Sequence, residues 1–155
     1  MPRGKQTDLL NRPARILVVD DDPDTSAILV RHLEREGFVP IVANSGAESL
    51  RLVRETEVDV IMLDLMMPDM DGFQICKSLK EDPATAEIPI ILTTARDDME
   101  TRAEGMRLGV GDFLAKPFSR RQLVACLQAQ LEILATERKT AATLSRIEGR
   151  GDKHR

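Results

Sequence analysis

Acidic residues, a hydroxyl and a lysine stand where short apolar segments of this chain end. Asp20 and Asp21 follow the first such segment, and Asp64 follows the third. Thr94 stands at the end of the fourth segment, and Lys116 follows the fifth. These segments have the length and β-branched content of buried strands, and parallel strands end at the same edge of a sheet. We therefore expect three or four carboxylates, one hydroxyl and one ammonium group to meet in a single crevice.

Such a crevice suits the binding and transfer of a phosphoryl group. Carboxylates held close together repel one another, and a hard divalent cation removes that conflict. Mg²⁺ binds one or two carboxylates and keeps positions for water and for phosphate oxygens. Lys116 can neutralise another anionic oxygen, and Thr94 can donate a hydrogen bond to one. Asp64 is the best candidate for a nucleophile that forms an acyl phosphate, because it is the lone acid at the end of the central strand.

Strand and helix patterns alternate along the chain and must position these side chains. The predicted strands cover 15–19, 38–43, 58–63, 88–93 and 111–115. The predicted helices cover 23–36, 45–55, 73–81 and 97–108, and a last helix begins after Pro117 and ends at Gly149 and Gly151. This order predicts an α/β protein with helices on both faces of a parallel sheet. We expect the doubly wound, flavodoxin-like (βα)5 fold with strand order 2-1-3-4-5 and an extended C-terminal helix.

Composition excludes several classes of protein. The 155 residues make one domain, and 22 Lys and Arg against 26 Asp and Glu give a net charge of −4, which argues against nucleic-acid binding. There is no Trp or Tyr to stack on bases. Cys76 and Cys126 lie in predicted helices far apart and form neither a disulfide framework nor a zinc site, which fits the cytoplasm. No apolar run reaches the roughly 18 residues of a membrane span, so we expect no membrane insertion.

Four motifs stand at the ends of predicted strands. They are ILVVDDD at 16–22, MLDLMMPDMDG at 62–72, LTTA at 92–95 and FLAKPF at 113–118. In this order and spacing they resemble the response-regulator receiver domain of two-component signalling, over about residues 14–134. Each motif alone is weak, but the combination is highly specific.

The resemblance implies a metal site beside a phosphoacceptor. Asp64 corresponds to the phosphoacceptor and also belongs to the metal site. Asp20 and Asp21 correspond to the acidic pair that binds Mg²⁺, with Asp21 as the more direct ligand. The backbone carbonyl of Met66 corresponds to a further metal ligand.

The resemblance also implies a switch. Thr94 corresponds to the hydroxyl that moves onto the phosphoryl group, and Lys116 to the ammonium group that pairs with a phosphoryl oxygen. Phe113 stands at the position of the aromatic residue that turns inward on activation. Pro117 follows Lys116 by a cis peptide bond in the family, and the small Ala95 leaves the phosphoryl group accessible.

Some of these residues also have an ordinary structural interpretation. Asp22 suits the N-terminus of the first helix, where the helix dipole favours an acid. Asp69 and Asp71 suit a turn that ends in Gly72, because Asp bonds locally to the backbone. Taken alone, Phe113 is more often core filling than a switch.

The resulting hypothesis is a signalling switch and not an enzyme. A sensor histidine kinase or a histidine phosphotransfer protein would phosphorylate Asp64. The face formed by helix four, strand five and helix five would then change its affinity for a downstream effector or for a second copy, as in a homodimer. Direct nucleic-acid binding is not expected.

Two other classes of function have to be weighed. An Asp-nucleophile phosphohydrolase usually carries a second Asp two residues after the nucleophile, where this chain has Met66. A flavin-binding electron carrier needs a phosphate loop rich in Ser, Thr and Gly after the first strand. This chain has three aspartates there, at 20–22.

The predicted organisation has three parts. Residues 1–13 form a flexible N-terminal arm, 14–134 the receiver domain, and 135–155 a helical extension and polar tail. A stand-alone receiver is the favoured interpretation. The alternative is a receiver fragment of a longer regulator such as a cyclic-dinucleotide synthase. The segment 80–89 resembles loops in receivers of both the stand-alone and the cyclic-dinucleotide-synthase type.

Overall fold

The computed structural model describes residues 12–153, with side chains described over 12–147. It contains five strands, which are β1 (Arg15–Val19), β2 (Val39–Ala43), β3 (Val60–Asp64), β4 (Ile90–Thr94) and β5 (Asp112–Ala115). All four neighbouring pairs are parallel, and the strand order is β2-β1-β3-β4-β5. The predicted fold class and strand order are therefore confirmed.

The five helices are α1 (Pro23–Arg35), α2 (Gly46–Glu55), α3 (Gly72–Glu81), α4 (Met99–Leu108) and α5 (Arg120–Lys153). Each begins where a side chain accepts a hydrogen bond from a backbone N–H of the first turn. The capping residues are Asp22, Ser45, Asp71, Asp98 and Ser119. In this way polar residues that follow the strands fix where each helix starts.

The sheet is buried on both faces. Leu17 and Ile61 pack on the side of α2 and α3, together with Ile75 of α3. Ile16 and Met62 pack on the opposite side, against leucines of α1 and α5. Every residue of β3 and β4 is buried, as expected for central strands of a doubly covered parallel sheet. This packing fixes the strand ends, from which the polar side chains project.

Some predicted boundaries differ from the structure. β3 begins at Val60 and not at Val58, although Val58 is buried, because apolar character marks burial and not sheet pairing. The prediction that Gly149 and Gly151 end the last helix is wrong, since α5 continues to Lys153. Glycine in a helix costs about 1 kcal/mol relative to alanine and does not by itself stop a helix already formed.

The 34 residues of α5 make a helix roughly 50 Å long. An ion-pair cluster around one buried aspartate fastens it to the edge of the sheet opposite the predicted crevice. The side chain of Asp59 is fully buried and accepts two 2.7 Å hydrogen bonds from Arg12 and one of 3.3 Å from Arg138 of α5. α5 is thus attached to the domain beyond residue 134.

The backbone N–H of Arg15 completes the cluster with a 2.7 Å bond to Asp59. Burial acts to raise the pKa of Asp59, but the bonds from Arg12 and Arg15 and the arginine charges outweigh it and lower the pKa. Of the predicted flexible arm, 1–11 lie outside the described residues, and Arg12 takes part in this cluster. Over 12–153, no helix combines the length and the apolar character that a membrane span needs.

Candidate functional site

The carboxyl ends of four neighbouring strands place the predicted site residues along one edge of the sheet. Asp64 is the last residue of β3 and is in register with Thr93 of β4. Thr94 ends β4 and is in register with Ala115 of β5, which Lys116 follows directly. Asp20 follows β1, which pairs with β3. The crevice predicted from the strand ends therefore has its counterpart in the sheet.

Three carboxylates form the centre of this edge. Asp20, Asp21 and Asp64 each offer an oxygen atom, and these atoms lie within 4.8 Å of one another. Asp20 and Asp64 are only 2% and 6% exposed, whereas Asp21 is exposed. A hard, anionic oxygen cluster open on one side can hold a divalent metal ion such as Mg²⁺.

Lys116 bridges the two buried carboxylates. Its Nζ lies 2.9 Å from Oδ2 of Asp20 and 3.5 Å from Oδ2 of Asp64. Burial acts to lower the pKa of Lys116, but the bond to Asp20 and the charges of Asp64 and Asp20 outweigh it and raise the pKa. The peptide bond from Lys116 to Pro117 is cis, as the resemblance implies.

The second oxygen of each buried carboxylate is held by the backbone. Oδ1 of Asp20 accepts from the N–H of Asp22 at 2.9 Å, and Oδ1 of Asp64 accepts from the N–H of Met66 at 3.2 Å. Both carboxylates thus have one oxygen on a backbone N–H two residues later and the other facing Lys116. Burial raises the pKa of Asp64, and repulsion by Asp20 adds to this, against the bond from Met66 and the charge of Lys116.

Thr94 and Phe113 lie on the side of the site that faces α4. Oγ1 of the buried Thr94 accepts a 2.9 Å hydrogen bond from the backbone N–H of Arg96. The ring of Phe113 packs against Gly105 of α4, so closely that a Cβ at Gly105 would lie 2.9 Å from Cε2 and closer still to Cζ. The sequence around Gly105 does not indicate this contact, because Phe113 lies on the next strand, β5.

The guanidinium group of Arg102 lies over the Phe113 ring, with its Cζ 5.4 Å from the ring centroid. Arg102 also forms an ion pair with Asp97, in the loop between β4 and α4. That loop begins directly after Thr94. The position of Phe113 is therefore linked to the loop that Thr94 helps to fix.

Three aspartates outside the carboxylate cluster, Asp22, Asp69 and Asp71, bind backbone N–H groups in the first turns of helices. Asp22 caps α1, and a hydrogen bond from Thr25 is the main cause of its lowered pKa. Asp71 caps α3 by accepting from the N–H of Phe73. Asp69 instead accepts a hydrogen bond from the N–H of Gly46 in the first turn of α2. The local sequence around Asp69 does not indicate this bond, because Gly46 is 23 residues away.

Comparison with known proteins assigns the family. Residues 16–128 match the response regulator receiver domain, which is more than half of the chain. This chain belongs to the response-regulator receiver family. As a receiver domain, it is 40% identical over 117 residues to the DNA-binding response regulator MtrA of Mycolicibacterium smegmatis, which covers 76% of this chain and 50% of that protein.

Other relatives agree with this assignment. The DNA-binding dual master transcriptional regulator RpaA of Synechocystis is 38% identical, with 76% of this receiver and 48% of that protein covered. The receiver thus spans about half the length of the curated relatives it matches. The crystallised chemotaxis protein CheY4 of Vibrio cholerae is 30% identical with a TM-score of 0.73, covering 76% of this chain and 98% of that chain.

Proposed function

We propose that this receiver domain is a phosphorylation-activated signalling switch in which Asp64 accepts the phosphoryl group. A sensor histidine kinase or a histidine phosphotransfer protein would be the donor. The observation that carries this proposal is the arrangement around Asp64. One oxygen from each of the carboxylates of Asp20, Asp21 and Asp64 lies within 4.8 Å of the other two. Oδ2 of Asp64 also lies 3.5 Å from the Nζ of Lys116. Such a site concentrates the charges that phosphoryl transfer needs.

In the proposed reaction, a carboxylate oxygen of Asp64 attacks phosphorus while the bond from phosphorus to the donor imidazole nitrogen breaks. Asp20, Asp21, Asp64 and the backbone carbonyl of Met66 are the proposed Mg²⁺ ligands. When bound, Mg²⁺ supplies positive charge for the phosphoryl oxygens. Lys116 is already held beside Asp64 and would pair with one of those oxygens.

The switch would start at Thr94. Its hydroxyl would exchange the hydrogen bond from Arg96 for a bond to a phosphoryl oxygen, which pulls on the loop that carries Asp97. Arg102 connects this loop to the ring of Phe113. Phosphorylation would thereby bias the packing of the α4–β5–α5 face, and with it the affinity for a downstream effector or a second copy.

The organisation of the chain is part of the proposal. Residues 14–134 would be the receiver domain, and α5 beyond them would connect it to an output. The attachment of Arg138 to Asp59 supports a stiff connection. Two relatives, of which the region matched to this receiver makes up about half, are named as DNA-binding regulators, which favours a receiver that serves a longer regulator. A cytoplasmic location fits the unpaired thiols of Cys76 and Cys126.

Intact-mass measurement after incubation with acetyl phosphate and Mg²⁺ tests the proposal. The wild-type protein should gain the mass of one phosphoryl group, and Asp64→Asn should gain none. Asp24→Asn, an exposed acid in the first turn of α1, is the matched control and should be labelled like the wild type. Labelling of Asp64→Asn at the wild-type yield would refute the acceptor assignment. Repeated turnover of a simple phosphate ester would favour a phosphohydrolase instead.

A further inference from the structure

The loop between β3 and α3, residues 65–71, is tied to the first turn of α2, the helix on the other side of β3 in the chain. Asp69 lies at the tip of this loop and is exposed. Its Oδ2 accepts from the backbone N–H of Gly46 at 3.0 Å and from that of Ala47 at 3.4 Å, and its Oδ1 lies 3.2 Å from the same Gly46 nitrogen. Gly46 and Ala47 are the first two residues of α2.

Asp69 and Ser45, the local cap of α2, bind different backbone N–H groups at the start of this helix. Ser45 accepts a hydrogen bond from the N–H of Glu48, the third residue of the helix. The N–H groups of the first two residues, which do not bind the Ser45 side chain, donate to Asp69 instead. The local cap thus serves α2 alone, whereas Asp69 also fastens the loop.

The contact between the loop and α2 is close. A Cβ at Gly46 would lie 2.8 Å from Cδ1 of Ile75 and 2.9 Å from Cβ of Met70, the residue after Asp69. Glycine at position 46 is therefore what allows the loop to approach the helix. The hydrogen bonds of Asp69 and the space at Gly46 act together on one junction.

The same loop holds the proposed phosphoacceptor. Met66 stands three residues before Asp69, and its backbone N–H donates to Oδ1 of Asp64 at 3.2 Å. Met66 also pairs with Asp71 across the loop, and the N–H of Gly72 donates to the carbonyl of Leu65. These bonds close the base of the loop, and Asp69 fixes its tip.

We infer that Asp69 is a positioning residue for the metal and phosphoryl site: by binding the first turn of α2, it holds the loop that sets the place of Met66 and Asp64. This inference rests on the proposed function, because the backbone carbonyl of Met66 is a proposed Mg²⁺ ligand. Residues that orient metal ligands typically alter metal affinity by about tenfold or more when removed.

The test is calorimetric titration of the full chain with Mg²⁺, together with the rate of labelling by acetyl phosphate. Asp69→Ala should weaken Mg²⁺ binding about tenfold and slow labelling. Asp69→Asn should stay close to the wild type, because one amide oxygen in the place of Oδ2 can accept from both Gly46 and Ala47. The Asn variant also separates geometry from the loss of a negative charge near the cation.

Ser45→Ala is the matched control for the stability of α2. It removes the other cap of the same helix but leaves the loop attached, so Mg²⁺ affinity should remain that of the wild type. Gly46→Ala should weaken Mg²⁺ binding, since its Cβ pushes against Met70. Urea unfolding followed by circular dichroism shows that each variant folds.

Three results overturn the inference: wild-type affinity in Asp69→Ala, an equal loss in Asp69→Asn, or an equal loss in Ser45→Ala. The last would mean that Asp69 only stabilises α2. The proposed function is judged separately, by whether wild-type protein that binds Mg²⁺ becomes phosphorylated. A wild-type protein that binds no Mg²⁺ contradicts both.

Discussion

Replacement of Gly105 by alanine places a methyl group where the Phe113 ring now lies. The new Cβ would lie 2.9 Å from Cε2 of the ring and closer still to Cζ, so the ring has to move. The backbone itself tolerates the change, because Gly105 lies inside α4 and is not one of the glycines with positive φ, Gly37 and Gly109. The substitution therefore probes the packing of the proposed switch residue.

Two opposing contributions set the size of the effect. Alanine is more favourable than glycine within a helix by about 1 kcal/mol. Overpacking of a well-packed site costs about 1–3 kcal/mol. In the wild-type background, Gly105→Ala should therefore lower the free energy of unfolding by up to about 2 kcal/mol. In a Phe113→Leu background the ring atoms that clash are absent, so Gly105→Ala should raise the free energy of unfolding by up to about 1 kcal/mol.

The assay is a double-mutant cycle by urea unfolding, followed by far-ultraviolet circular dichroism because the chain has no Trp or Tyr. We expect Gly105→Ala and Phe113→Leu to interact by about 1–3 kcal/mol. An interaction below about 0.5 kcal/mol would refute the reasoning, since the two changes would then be independent. So would a stabilising Gly105→Ala in the wild-type background, which would mean that the ring moves at no cost.

Two further predictions concern charged groups. Asp59 has a lowered pKa in the folded protein, so its contribution to stability is complete above the unfolded pKa and is lost as the pH falls through the folded one. Asp59→Asn should lower the free energy of unfolding by about 2 kcal/mol at neutral pH and should reduce the loss of stability with falling pH. Urea unfolding at several pH values measures both, and a pH dependence equal to that of the wild type would contradict this prediction. Lys116→Met removes the ammonium group next to Asp20 and Asp64, so calorimetry should show Mg²⁺ affinity unchanged or higher while labelling by acetyl phosphate slows. Wild-type labelling would remove Lys116 from the proposed reaction.

The features that the sequence predicts depend on local patterns and on rules of chain topology. Asp64 ends one apolar strand and Lys116 follows another, and a parallel sheet has to bring these strand ends to one edge. Helix starts are equally local, since Asp22 and Ser45 cap the residues that follow them. These features need no knowledge of a distant partner.

The features that escape prediction depend on contacts between residues far apart in the chain. Asp59 lies between two valines, and nothing in its neighbouring sequence indicates its ion pairs with Arg12 and Arg138. These arginines are 47 and 79 residues away. Asp69 resembles an ordinary turn residue until α2 is placed beside it. The extent of α5 is also hard to predict, because Gly149 and Gly151 lower the helix propensity by about 1 kcal/mol each without fixing the residue at which the helix ends.

The identity of the phosphorylated residue tests the central claim most directly. Borohydride reduction converts an aspartyl phosphate to homoserine, which peptide mass spectrometry locates in the sequence. After treatment with acetyl phosphate and Mg²⁺, homoserine should appear at position 64, and it should be absent when Mg²⁺ is chelated. Homoserine at Asp20 or Asp21 instead, or a phosphoryl group that survives on Ser or Thr, would contradict the assignment of Asp64 as the phosphoacceptor.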